Sequence, residues 1–262
     1  MATRNTPFAP GTPCWVDLMS SDPAKAKEFY SALLGWTFDE ASDEYGNYVT
    51  CQSDGHNVAG MMANPGTGAP DGWNTYICTQ DAHATAEAAA GAGGKVLMPV
   101  MEVPEQGVMA MIADPAGAVF GVWQPIGHIG FQKYNEANSV TWDELHSKDF
   151  PASKDFYGTV FGWNYQVMGD TDEFRYVTGQ VDGQDVLGMM DASGYLPAEV
   201  PSHWAVYFSV EDVDAACAKA VELGGSVIRP AEDTPFGRIA DMTDATGANF
   251  KLHGPVTEAA GS

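Results

Sequence analysis

One stretch of this chain is written twice. Thr12-Pro-Cys-Trp-Val-Asp-Leu-Met-Ser-Ser-Asp-Pro runs on to Phe29-Tyr30 and Gly35-Trp36. It returns from Ser139 through Trp142, Glu144 and Phe156-Tyr157 to Gly162-Trp163, each landmark 127 residues further on. A period this long marks a duplicated domain, because stacked solenoid repeats run about 20–50 residues. The match continues: Tyr48-Val-Thr returns as Tyr176-Val-Thr, Gly60-Met-Met as Gly188-Met-Met, and Asp114-Pro-Ala-Gly as Asp244-Ala-Thr-Gly. The chain must therefore build one fold twice, and 262 residues suffice for two domains that each bury a core.

Within a repeat, the local signals alternate between periods of two and 3.6. Cys14–Leu18 reads as a strand with Trp15 and Asp17 on one face and Val16 and Leu18 on the other. Asp22 is an N-cap followed by Pro23 at the first helical position. Ala26, Phe29, Tyr30, Leu33 and Leu34 form one apolar stripe, and Gly35 suits a left-handed C-cap. Strands follow at Thr37–Phe38, Tyr48–Ser53 and Asn57–Met62, with a hairpin signal at Asp54-Gly55. After a Pro/Gly-rich linker, a second unit has a strand at Trp73–Thr79 and a helix at Asp81–Gly91. Its remaining strands are Lys95–Pro99, Gly107–Ala113 and Ala118–Gln124. Each half thus reads strand–helix–three strands, twice, with Asp212–Leu223 as the last helix.

The net charge of −23, from 35 acids against 12 bases, argues against a nucleic-acid or anionic-membrane partner, which need a basic footprint. Cys14, Cys51, Cys78 and Cys217 show no CxxC spacing and read as free thiols. The N-terminus lacks an apolar leader and no run is long enough to span a bilayer, so a cytoplasmic location is expected. There is no nucleophile elbow, P-loop or dinucleotide fingerprint; Gly91, Gly93 and Gly94 follow a helix and read as its stop.

This order of elements, with Phe29-Tyr30, Gly35-Trp36, Asp114-Pro-Ala-Gly117 and their second copies, resembles the vicinal oxygen chelate superfamily of glyoxalases, bleomycin-resistance proteins and extradiol dioxygenases. The strings Trp-Val-Asp-Leu, Trp73-Asn-Thr-Tyr-Ile and His203-Trp-Ala-Val-Tyr-Phe look closest to an actinobacterial glyoxalase-like subgroup labelled hydroxylase, which includes a mycobacterial 27 kDa antigen. The resemblance implies an α+β fold of two tandem domains, each of two βαβββ modules curled into an open, cup-shaped sheet. The expected layout is an arm at 1–11, domain 1 at 12–126 (modules 13–65 and 70–125), a linker at 127–138, domain 2 at 139–256 (modules 139–192 and 201–254) and a tail at 257–262.

Metal-using relatives carry His, Gln or Glu at three strand positions per domain. Matched to this chain, these are Trp15, Asn74 and Gly121, and Trp142, Ala205 and Lys251. None is an imidazole, carboxylate or thiolate, and Lys251 would repel a cation. No divalent metal and no other cofactor is therefore expected.

The candidate acid–base residues are Asp17, its counterpart Glu144, and His203. Against this stands the reading that the carboxylates brace a strand in each half and that His203 bonds solvent or backbone. The candidate ligand-binding residues are Trp15, Asn74, Tyr76, Trp123, Trp142, Tyr207 and Lys251. Trp15 and Trp142 either stack on a planar ligand or fill a vacated metal hole. Met61-Met62 and Met189-Met190 either wall the cups or belong to the core. The remaining histidines (His56, His83, His128, His146 and His253) show no ligand-like clustering.

The leading expectation is a metal-independent binder of a small planar or hydrophobic metabolite, serving resistance or secondary-metabolite tailoring, as a monomer or homodimer. The alternatives are a lyase, isomerase or hydroxylase working through Asp17, Glu144 or His203, and a metal-dependent glyoxalase or dioxygenase.

Overall fold

The computed structural model describes residues 4–39, 46–66 and 68–256; the expected tail, 257–262, and residues 1–3 of the expected arm lie outside them. The first half runs β1 (Pro13–Ser20), α1 (Pro23–Leu34), β2 (Thr37–Phe38), β3 (Val49–Ser53), β4 (His56–Ala63), β5 (Gly72–Cys78), α2 (Ala82–Gly91), β6 (Lys95–Val103), β7 (Gly107–Ala113) and β8 (Val119–Pro125). The second half repeats it as β9 (Val140–Ser147), α3 (Phe150–Phe161), β10 (Asn164–Asp170), β11 (Arg175–Val181), β12 (Gln184–Asp191), β13 (His203–Ser209), α4 (Val213–Glu222), β14 (Ser226–Thr234), β15 (Gly237–Thr243) and β16 (Asn249–Gly254).

The helices start and stop where their caps dictate. Asp22, Asp81, Asp149 and Asp212 each accept a hydrogen bond from a backbone N–H in the first turn of α1, α2, α3 and α4. Gly35 and Gly162 close α1 and α3 in the left-handed region, at φ 67° and 69°.

Each half forms one eight-stranded sheet, in the orders β2-β3-β4-β1-β5-β8-β7-β6 and β10-β11-β12-β9-β13-β16-β15-β14. β1 and β5 run antiparallel at the centre, and each pairs in parallel with the last strand of its own module, β4 or β8. This is the α+β, two-module cup expected, doubled. β6 continues past Pro99, which the sequence reading took as its end. As the sheet's edge strand it can spare the N–H that proline lacks, and the register shifts on either side of Met98 accommodate it.

The hydrophobic core joins the two halves crosswise. Phe29, Tyr30, Leu34 and Trp36 around α1 pack with Val206, Phe208, Val213, Phe250 and Leu252 of the last module. Ala82, Ala86 and Ala89 of α2 and Phe120 pack with Phe156, Tyr157 and Trp163 of the third module and Trp204 of the last. The repeated motifs bond in the same crossed sense. The Tyr30 hydroxyl donates to Asp244 (3.0 Å) in the Asp-x-x-Gly turn of the other half and accepts from Trp73 Nε1 (3.0 Å). Tyr157 sits against Asp114 and accepts from Trp204 Nε1 (3.1 Å). At the centre, Thr75 Oγ1 donates to Asp143 Oδ1 (2.8 Å), linking β5 to β9.

Candidate functional site

The strand registers put one row of residues from each half on the concave face. In the first cup Trp15 lies opposite Tyr76, and Tyr76 beside Gly121. In the second, Trp142 lies opposite Tyr207, and Tyr207 beside Lys251. One pair further along stand Asp17 with Asn74 and Glu144 with Ala205. The positions Asn74 and Ala205, matched above to a metal ligand, are thus a step away from the tryptophans; Tyr76 and Tyr207 share their level. Tyr48 and Tyr176 complete each row by lying flat over glycine: a Cβ on Gly60 would stand 1.7 Å from the Tyr48 hydroxyl, and one on Gly188 would stand 2.0 Å from that of Tyr176. Trp15 Nε1 donates to the Tyr48 hydroxyl (2.8 Å), and Trp142 Nε1 to that of Tyr176 (3.2 Å).

The first cup is filled by the chain itself. The His128 ring stands edge-on to Trp15 at 4.3 Å and contacts Trp123, whose Nε1 donates to the His128 carbonyl (2.8 Å). Phe131 covers the other side of Trp15, which is 3% exposed. The segment expected to be only a linker is therefore a plug. Its tight entry depends on Gly130 (φ 94°), where a Cβ would meet the Cys14 carbonyl at 2.3 Å. Beneath the plug, Asp17 accepts from Asn74 Nδ2 (2.9 Å) and the Tyr76 hydroxyl (2.8 Å). Burial pushes its carboxyl up to about 6; these two donors and Tyr48 offset only part of that. His128 Nε2 is buried without a hydrogen-bond partner, and burial lowers the imidazole to about 4, so the ring is neutral near pH 7.

The second cup is charged: Glu144, His146 and Lys251 are buried in it, and Trp142 and His203 are partly exposed. Glu144 accepts from the Tyr207 hydroxyl (2.7 Å) and stands 2.8 Å from His146 Nε2, with the ring tilted so that the N–H is off the line to the oxygen. Burial acts to raise the Glu144 carboxyl, but His146, Lys251 and Tyr207 together outweigh it and hold it down to about 2. Lys251 pairs with Asp241 (2.9 Å) and lies over the Tyr207 ring at 5.2 Å. His203 stacks on His146 (5.1 Å, 9°), and its Nδ1–H donates to the Pro201 carbonyl (3.0 Å). Burial, with the neighbouring His146 adding to it, lowers His203 to about 4. The other ring nitrogen of His146, Nδ1, meets the Tyr195 hydroxyl.

The mouth of the second cup is aromatic. Phe174 stacks on Tyr176 (5.8 Å, 13°), and Phe236 reaches the same ring from the opposite side of the sheet (6.0 Å). Phe174 is 40% exposed and Phe236 50%. His253 Nε2 holds the turn carrying Phe236 through its carbonyl (2.8 Å). The first half has Gly46 and Gln106 at the positions of Phe174 and Phe236, so it has no such rim.

All ten candidate residues lie on the concave faces: Trp15, Asp17, Asn74, Tyr76 and Trp123 in the first cup, and Trp142, Glu144, His203, Tyr207 and Lys251 in the second. His146 belongs with them. The sequence reading set it aside as unclustered, because the strand that brings it against His203 is 57 residues distant in the chain. Tyr48, Tyr176, Tyr195, Asp241, His253 and Phe236 were also missed. The doubled Tyr-Val-Thr string was the one available signal, and it pointed to Tyr48 and Tyr176. The Met-Met pairs divide between the two readings: Met61 and Met189 are buried in the core, and Met62 and Met190 lie on the cup side.

The side chains at the family's metal level are indole, phenol and either hydrogen or an ammonium. That set offers no pair of imidazole or carboxylate donors, and Lys251 brings positive charge. Among the described residues no group of three or more His, Cys, Asp or Glu is arranged to hold an ion. His146 and His203 face each other ring to ring, which keeps their nitrogens from converging. A surface cleft of about 340 Å³ between α1 and α4 lies outside both cups. No helix among the described residues is long and apolar enough to cross a membrane.

Comparison with known proteins agrees with this geometry. The sequence matches the model of the Glyoxalase/Bleomycin resistance protein/Dioxygenase superfamily twice, over residues 14–122 and 137–252. It is 40% identical to the "Anthracycline biosynthesis protein DnrV" of Streptomyces peucetius over 94% of each chain. It is 36% identical to the "Putative glyoxylase CFP32" of Mycobacterium tuberculosis, over 97% of this chain and 99% of that protein. The fold is similar to that of the Mn(II)-bound glyoxalase from Novosphingobium aromaticivorans (TM-score 0.65, 13% identity, 95% of this chain and 84% of that one). It is likewise similar to the 2,3-dioxygenase LapB from Pseudomonas sp. KL28 (TM-score 0.64, 14% identity, 96% and 95%).

Proposed function

Because the chain belongs to the glyoxalase/bleomycin resistance protein/dioxygenase superfamily, we propose that its second cup binds a small planar, hydrophobic metabolite without a divalent metal. One observation carries this reading: the half-exposed rings of Phe174 and Phe236 flank the buried ring of Tyr176, whose hydroxyl accepts from Trp142 Nε1. Exposed aromatic surface beside a buried charged cluster is costly in water and suits a flat apolar ligand with one polar edge. The rings take the ligand's faces, and Lys251, Tyr207 and Glu144 meet its oxygens. The likeness to a protein of anthracycline biosynthesis supports a fused-ring ligand such as an aromatic polyketide, in tailoring or resistance.

The first cup, sealed by His128 and Phe131, has a structural role in this reading. Titration with an anthraquinone, followed by tryptophan fluorescence and thermal shift in EDTA, tests both points. One site per chain is expected, weakened about tenfold by Phe236→Ala through loss of stacking worth about 1 kcal/mol or more. Binding that needs a stoichiometric divalent metal, or a preference for the methylglyoxal–thiol adduct over every aromatic compound, contradicts the proposal.

A second reading has one observation in its favour: the ionised Glu144 beside His146 gives this cup the parts for acid–base catalysis.

A further inference from the structure

Resting on the second cup as the ligand site, we propose that Tyr195, His146 and Glu144 form a proton relay that removes an acidic C–H proton from the bound metabolite, with Tyr195 as the group that touches it. Tyr195 sits on the loop after β12, half exposed, with its hydroxyl turned inward against His146 Nδ1 and Met190 Sδ (3.2 Å). His146 is buried and Glu144 is its neighbour two residues back on the same face of β9, so the three form a chain from the half-exposed loop onto the sheet.

The tautomer follows from charge. A bare nitrogen lone pair 2.8 Å from an ionised carboxylate would be repelled, so His146 Nε2 carries the proton. Nδ1 is then the acceptor, and the Tyr195 O–H donates to it. His203 stacks on the ring and, bound to the Pro201 carbonyl through Nδ1, fixes its plane. The first half has Met19 in place of His146, so it holds no equivalent relay.

The step conserves atoms and charge. The Tyr195 oxygen takes a proton from a carbon beside a ligand carbonyl as its own proton moves to His146 Nδ1. The C–H electron pair stays on the ligand as an enolate, and the imidazole becomes an imidazolium facing the Glu144 carboxylate. Lys251, with N–H groups to spare beyond its pair with Asp241, supplies positive charge and a donor for the enolate oxygen. Return of the proton to another carbon gives an isomer; return to the same carbon gives exchange with solvent. No oxidant or reductant enters. The groups facing His146 are Glu144 from its own strand, His203 from β13 and Tyr195 from the loop; Lys251 from β16 acts on Glu144 and His203, and Asp241 from β15 on His203 and Tyr195. Arg229 and Asp191 act on Tyr195 from β14 and β12.

The test uses 2-tetralone, a flat enolisable ketone, in D2O, with α-proton loss followed by NMR and binding by fluorescence. Wild-type protein is expected to accelerate the exchange. Tyr195→Phe, on an exposed loop where folding tolerates it, should lower the rate about 100-fold with binding retained. His146→Gln should lower it by a similar factor, again with binding retained.

A second measurement needs no substrate: the His146 imidazole nitrogens, identified by their loss in His146→Gln, should report an Nε2–H tautomer whose Nδ1 chemical shift moves in Tyr195→Phe. Binding without exchange, exchange unchanged in Tyr195→Phe, or an Nδ1–H tautomer indifferent to Tyr195 overturns the relay and leaves the ligand site standing. Failure of 2-tetralone and anthraquinone alike to bind overturns the ligand site itself, and the relay with it.

Discussion

Asp17 and Glu144 occupy the same position in the two halves, yet their surroundings push them in opposite directions. Asp17 has only neutral donors, so burial wins and its carboxyl rises from 3.8 to about 6. Glu144 has His146 and Lys251 nearby and falls from 4.5 to about 2. The signs follow from linkage. Asp17 contributes stability when protonated, present below pH 4 and lost as pH rises through 6. Glu144 contributes when ionised, present above pH 4.5 and lost as pH falls toward 2. Thermal melts from pH 2 to 8 should therefore show Asp17→Asn flattening the limb between pH 4 and 6. Glu144→Gln should flatten the acid limb, at a cost of about 1–3 kcal/mol for the donors it strands. Melting curves for both variants that run parallel to wild type across the range would contradict these assignments. The identity of the two residues was legible from the repeat. Their opposite chemistry was not, because it depends on His146 and Lys251 arriving from other positions along the strands.

At the level of elements, the sequence told most of what it could. Aspartate caps, the left-handed Gly35 and period-two strands located the helices and most strands within a residue or two. β6 ran past its proline because an edge strand tolerates one. What no local pattern revealed was the function of the strand glycines. Gly60 and Gly188 stood out only as parts of a repeated Gly-Met-Met string, and in the sheet each is the bed on which a cup tyrosine lies. Gly188→Ala should drive the Tyr176 ring off its bed and break the Trp142–Tyr176 bond. The expected cost is about 1–3 kcal/mol, with ligand affinity lost beyond what stability explains. Calorimetry and fluorescence titration measure the two parts; an alanine variant with native stability and affinity would show that the tyrosine is free to move. The plug over the first cup was equally hidden, since residues 127–138 carry the composition of a linker, and only their contact with Trp15 reveals their role.

Across the whole molecule, the two halves are held by a buried seam that the duplication obscures. Position 16 is valine in the first half, and its counterpart is Asp143, fully buried, with Thr75 bonding one oxygen and nothing bonding the other. Burial raises its carboxyl from 3.8 to about 7, with the Thr75 donor offsetting part of that. The fold therefore favours the protonated acid, and stability should decline as pH rises from about 4 to 7. Asp143→Asn keeps the Thr75 bond and removes the charge. It should raise the melting temperature at pH 7.5 and leave it nearly unchanged at pH 4, the difference reaching at most about 4 kcal/mol. A variant less stable than wild type at pH 7.5 would mean that the carboxylate is compensated in the seam.

The crossed packing of α1 against the last module also dictates an order of events during synthesis. The apolar stripe of Phe29, Tyr30 and Leu34 leaves the ribosome near the start, but Phe250 and Asp244, which it covers, are made more than 200 residues later. The nascent first quarter must hold an unsatisfied oily face until the final strand emerges. Such long-range closure is slow and prone to mispairing with neighbouring chains. A copy of the first half alone would keep that face open for good.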